Sequence, residues 1–201
     1  MENDQYISVA GRGEGIYKDR GSKFIAVAMP ASTEEEARSC LDEVRSVYHD
    51  AHTKAYAWRI GRDGETWKVN DDGEPSGSAG RQILGQMMSR NLSDVIVVVV
   101  RYFGGTKLGI PGLIKAFKTS SADALDSAGT VVKTVTRRFR ISFGYMEMND
   151  VMKVLKDLSL RPEKQDFGEA CSLEASVREA SVGELERRLG FVEDAVVEEI
   201  L

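Results

Sequence analysis

The residues best suited to chemistry fall in two short stretches. YHDAHTKAY (48–56) holds both histidines of the chain, His49 and His52, with Asp50 between them, and DDGEPSGSAG (71–80) opens with Asp71, Asp72 and Glu74. Imidazole and carboxylate are the groups from which general acid–base catalysis is assembled, and clustered carboxylates also suit hard cations. A hydrolase would use His52 with Asp71, Asp72 or Glu74, and these four are the catalytic candidates. The histidine spacing matches no zincin motif, in which two His at i and i+4 bracket a Glu. No metal ligand and no cofactor is assigned. The same acidic stretch also reads as a polar turn leading to a helix capped by Ser76 or Ser78.

The second chemistry is recognition of anions. In VVVVRYFGGTKLGIPGLIKAF (97–117) an apolar run ends in Arg101, Tyr102 and Phe103, and a glycine-dense turn carries Lys107. The glycines and lysine are in the wrong order for G-x-x-x-x-G-K-[ST], and G-x-G-x-x-G is absent. What survives is a looser anion site, with backbone amides at Gly104, Gly105 and Gly109 next to a helix start and two cations nearby. Glycines that supply positive φ and close helix packing would leave the same trace. Residues 76–120 hold six cations (Arg81, Arg90, Arg101, Lys107, Lys115, Lys118) against one acid, Asp94. That excess stands out in a chain of net charge -5, and phosphate backbones are natural partners for it. Tyr102 and Phe103 suit base stacking or the core. The expected partner surface is Arg81, Arg101, Tyr102, Phe103, Lys107, Lys115 and Lys118. No G-x-S-x-G motif is present, and neither Cys40 nor Cys171 has basic neighbours that would lower its pKa.

The elements that position these residues are legible from periodicity. SKFIAVAMP (22–30) reads as a strand. Ser32 or Thr33 caps a helix whose first turn, Glu34–Glu36, suits the positive end of its dipole. AYAWRIG (55–61) and ETWKVN (65–70) form a hairpin about Asp63-Gly64. A helix over 78–90 precedes DVIVVVV (94–100), whose unbroken apolarity predicts a strand covered on both faces. A second helix runs from the glycine turn to about Ser127. From Ile141 the order strand, helix, strand, strand, helix, strand fits a ferredoxin-like sandwich, with a domain boundary near Thr136.

Composition narrows the class further. With 42% hydrophobic and 29% charged residues the chain is globular. No apolar run approaches the roughly 20 residues of a membrane span, and MENDQYISVAGRGEG lacks the pattern of a secretory signal. Two isolated cysteines suit a reducing cytosol. A cytoplasmic monomer with no membrane association is expected.

SKFIA (22–26), AHTKAYAWRIG (51–61), DDGEPSGSAG (71–80) and VVVVRYFGGTKLGIPGL (97–113) together resemble the IMPACT/YigZ family. The resemblance spans roughly residues 15–130, and the acidic remainder resembles the small C-terminal domain of the bacterial members. It implies an α+β protein of two domains. Residues 1–136 would form the IMPACT/YigZ-like domain, a left-handed βαβ fold similar to domain IV of elongation factor G. Residues 137–201 would form a ferredoxin-like small domain similar to domain V of that factor. The pairing implies RNA, the ribosome or a translation-machinery protein as partner, and eukaryotic members of the family are translational regulators. The chain departs from the family pattern at Ile110-Pro111-Gly112-Leu113 and at Ala116-Phe117, and Pro111 removes one amide donor from the helix start. The expected function is non-enzymatic translation regulation through a basic face of the first domain, with a hydrolase or metal-dependent enzyme using His52 and the acids as the alternative.

Overall fold

A computed structural model describes residues 3–168 and 170–200. Met1 and Glu2, the first residues of the stretch weighed as a signal, lie outside them. The chain divides into two compact units, Tyr6–Lys133 and the residues from Thr134 onward joined by the first ones through Gln5. No helix among the described residues is long and apolar enough to cross a membrane.

The first unit is built from β1 (Gln5–Val9), β2 (Gly13–Asp19), β3 (Ser22–Pro30), α1 (Glu34–Val47), β4 (Thr53–Ile60), β5 (Thr66–Asn70), α2 (Gly80–Ser89), β6 (Val95–Tyr102), α3 (Gly109–Ala128) and β7 (Thr130–Thr134). β1 and β7 form a two-stranded sheet, and the main sheet has the order β2-β3-β6-β4-β5. Every pairing in that main sheet is antiparallel. β6 lies at its centre. Val95, Val97 and Val99 face a core shared with α2 and α3, while Ile96, Val98 and Val100 face one shared with α1. Both faces are covered, which is why the strand shows no polar alternation. α1 begins as its sequence requires, with Thr33 Oγ1 accepting from the Glu36 amide at 3.1 Å.

The topology also fixes a handedness. β3 and β4 both pair antiparallel with β6, so they run parallel with β6 between them, joined by α1. β5 and β6 run parallel about β4, joined by α2. The two crossovers step in opposite directions along the sheet, and their strands also point in opposite directions. An in-plane rotation superimposes those two reversals. The helices nonetheless pack on opposite faces, so the crossovers have opposite hands and one of them is left-handed. This is the departure from the right-handed rule that the family resemblance implied.

The second unit carries β8 (Thr136–Gly144), α4 (Met148–Asp157), β9 (Pro162–Phe167), β10 (Ala170–Arg178), α5 (Val182–Leu189) and β11 (Val196–Ile200). Its antiparallel sheet has the order β11-β8-β10-β9, the arrangement of a ferredoxin-like sandwich. Phe139, Ile141 and Phe143 of β8 and Leu173, Ala175 and Val177 of β10 alternate inward against Val151, Leu155, Leu185 and Leu189 of the helices. That strand-period pattern meeting a helix-period one makes a single apolar core.

Candidate functional site

The three acids of the loop between β5 and α2 are each engaged within the fold. The Asp71 carboxylate accepts from the amides of Gly77 (2.8 Å), Ala79 (3.1 Å) and Gly80 (2.8 Å). The last two are donors that a helix start leaves without partners. Asp71 therefore caps α2, in place of Ser76 or Ser78; the Ser78 hydroxyl donates to the Pro75 carbonyl at 2.6 Å. Asp72, held at φ 46, accepts from the Lys54 amide at 2.6 Å. Glu74 is buried, accepting from Thr53 Oγ1 at 2.8 Å and twice from Arg101 Nη1, at 2.8 and 2.7 Å.

His52 meets none of these carboxylates. Its amide donates to the Arg101 carbonyl at 2.9 Å, and its exposed ring lies 6.1 Å from that of Phe103. His49, also exposed, sits 3.9 Å from Asp50, which in turn accepts from the Tyr102 hydroxyl at 2.8 Å. Among the described residues no group of three or more His, Cys, Asp or Glu side chains is placed to hold a metal ion.

The basic candidates separate into two kinds. Arg101 is only 9% exposed, and its charge is spent on Glu74. Its guanidinium carbon lies 5.4 Å from the Phe24 ring and 5.5 Å from the Phe103 ring. Arg90 is likewise taken up, by Asp126 and Gln86. Arg81, Lys107, Lys115 and Lys118 are exposed and form no ion pair among the described residues. Because β5 and β6 run parallel, α2 and α3 begin at the same end of the sheet. Arg81 stands in the first turn of α2, Lys107 two residues before α3, and Lys115 and Lys118 along α3. Tyr102 turns to the opposite face, against the α1 core, while Phe103 stays with the cations, 43% exposed.

At this end lies an open cleft of about 430 Å³, lined by His52, Glu74, Arg101, Phe103, Lys107 and Ile110 among others. Gly104 lies in the turn after β6: a Cβ there would stand 2.0 Å from the Gly21 carbonyl carbon, so only glycine lets the β6–α3 turn rest on the β2–β3 turn. α3 starts at Gly109, φ 71, with no side-chain cap. Pro111 in its first turn has no N–H to offer. Sequence reasoning placed Arg101 among the free cations and missed Thr53. The one available signal was an arginine closing a fully buried strand, which demands a counter-charge somewhere in the chain.

Known proteins resemble the chain over most of its length. Residues 20–125 match the Impact N-terminal domain. The chain is 33% identical over 174 residues to the Bacillus subtilis IMPACT family member YvyE, covering 87% of this chain and 80% of that protein. It is 29% identical over 170 residues to YigZ of Escherichia coli, covering 84% and 83% respectively. A crystal structure described as that of a hypothetical protein superposes with a TM-score of 0.74 at 26% identity, covering 98% of both chains. With its two units, its left-handed crossover and its motifs in order, the chain belongs to the IMPACT family.

Proposed function

We propose that this chain is a non-enzymatic, translation-related regulator whose first unit binds RNA, the ribosome or a translation-machinery protein. One observation carries the reading: Arg81, Lys107, Lys115 and Lys118 remain exposed and without an ion pair among the described residues, near the start of α2 and α3 and along α3, in a chain of net charge -5. A local positive field on an acidic protein is what a phosphate backbone would select. The pairing of a left-handed βαβ unit with a ferredoxin-like one, similar to domains IV and V of elongation factor G, supports a partner in translation. The hydrolytic alternative needs His52 within hydrogen-bond reach of an acid, and Asp71, Asp72 and Glu74 are engaged elsewhere.

Ribosome co-sedimentation and RNA binding titrated with salt test the proposal. Replacing Lys107, Lys115 and Lys118 with alanine is expected to weaken binding and to flatten the salt slope by about 0.7–0.9 for each phosphate no longer neutralised. Absence of any RNA, ribosome or translation-factor association at low salt defeats it.

A further inference from the structure

We infer that the cleft at the start of α3 binds the phosphate group of a nucleotide, with Phe103 presenting a face to the base. The inference deepens the proposed function and takes its RNA form as the leading source of that phosphate, a free nucleotide being the other.

The cleft holds donors with nothing to donate to. Arg101 uses only Nη1 on Glu74; among the described residues its Nε is buried without a partner and Nη2 makes no hydrogen bond. Leaving part of a guanidinium unsatisfied in a residue 9% exposed is unfavourable unless something else completes it. Arg101 lines the cleft, and its Nη2, unlike Nε, is not shut off from solvent. Beside it begins α3, a helix of 20 residues with no side-chain cap. The amides of Gly109 and Ile110 stand at its positive end. α2, which starts at the same end of the sheet, has its amides covered by Asp71, so the two helices differ where it matters.

Charge in the cleft favours an anion. Its carboxylate, Glu74, is 8% exposed and satisfied by Thr53 and Arg101. That pair is close to neutral, which leaves Lys107 and the helix end as uncompensated positive charge. Three kinds of donor (guanidinium, ammonium and amide) lining one cleft suit the several oxygens of a phosphate. Phe103 is steadied by the Arg101 guanidinium at 5.5 Å on one side and lies 6.1 Å from the His52 ring, yet keeps 43% of its surface open. An aromatic ring next to a phosphate site is a stacking platform for any base. The cleft volume of about 430 Å³ lies in the range of small-ligand sites.

Calorimetric titration of the full chain with adenosine monophosphate, and with one short RNA carrying either a 5′-phosphate or a 5′-hydroxyl, tests the assignment. The phosphorylated RNA is expected to bind about tenfold more tightly than the hydroxyl form, a difference of one good charge-assisted contact. Lys107→Ala should abolish that preference. Phe103→Ala should weaken adenosine monophosphate by roughly tenfold. Both side chains are exposed, so the variants keep the fold. Lys118→Ala is expected to weaken both RNAs equally. Equal affinity for the two RNAs, with no binding of adenosine monophosphate, overturns the cleft assignment while a surviving Lys118 effect leaves the RNA reading intact. A 5′-phosphate preference indifferent to both Lys107→Ala and Phe103→Ala overturns it as well. Adenosine monophosphate bound through Lys107 and Phe103, with neither RNA bound, supports the cleft, makes the free nucleotide its source and removes the RNA reading.

Discussion

Glu74 and Arg101 show how a charged residue's surroundings are set by a partner distant in sequence. An acid in a loop and a cation at a strand end both invite a functional reading, but together they form a buried pair closed by Thr53. Breaking such a pair strands the remaining charge, so Glu74→Gln is expected to destabilise the first unit by about 3 kcal/mol in urea unfolding. The double variant with Arg101→Met should recover most of that stability, because it removes the stranded charge too; a double variant no better than the single one contradicts the account. Asp94 offers a pH test. Burial pushes its carboxyl up, but hydrogen bonds from Tyr6, Gly61 and Lys133 outweigh this and hold it below the usual range. Its native value thus lies below the unfolded value of about 3.9. The stability it contributes is complete above that pH and is lost as pH falls through the native value. The gap in unfolding midpoint between wild type and Asp94→Asn should therefore be full near neutrality and shrink as pH falls below about 3.9. A gap constant across the range would rule the linkage out.

Elements differ in how plainly the chain announces them. β3, α1 and β6 were legible because apolar side chains do their packing, and the period of those side chains is the signal. β2 carried no such signal for a physical reason. Its inward positions include Gly13 and Gly15, where α3 approaches so closely that a Cβ at Gly15 would lie 2.4 Å from the Ser120 carbonyl oxygen. Close backbone approach replaces apolar side chains there, and a pattern of hydrophobicity cannot report it. Gly15→Ala should cost about 1–3 kcal/mol through overpacking, with hydrogen exchange accelerated first along α3 and β2. The cap of α2 was missed for a related reason: Asp71 reaches forward nine residues to Gly80 through a folded loop, whereas the nearer Ser76 and Ser78 satisfied the local pattern. The basic surface fared in between. Its lysines were visible as charge, but which cations stay free depended on Glu74 and Asp126, each distant in sequence from the arginine it neutralises.

Across the whole molecule the two units have separate cores, one sheet covered on both faces and one sandwich with helices on a single side. The second unit is nonetheless not made from one continuous segment. Asp4 is 1% exposed, accepts from Arg178 Nη2 at 3.0 Å and lies 3.4 Å from the Ala180 amide nitrogen, and its backbone carbonyl accepts from the Val135 amide at 2.8 Å. The hydrogen bond from Arg178 leads the effects that hold the Asp4 carboxyl below its ordinary range. Asp4→Asn should therefore loosen the second unit selectively, with faster amide exchange in β8 and β10 and none of that change in β6. Uniform acceleration across both sheets would show instead that the units unfold as one.

Asp4 also has a bearing on the order in which the chain is made. It leaves the ribosome ahead of the whole first unit, yet the guanidinium that completes it arrives 174 positions later. The sheet and helices of Tyr6–Lys133 contain everything their cores require and can close during synthesis. Asp4 must then stay solvated, in wait, until Arg178 emerges. The segment around Asp4 is thus an early-made part of a structure that forms later, and a nascent chain halted between the two units would carry a finished first unit and an unclaimed carboxylate.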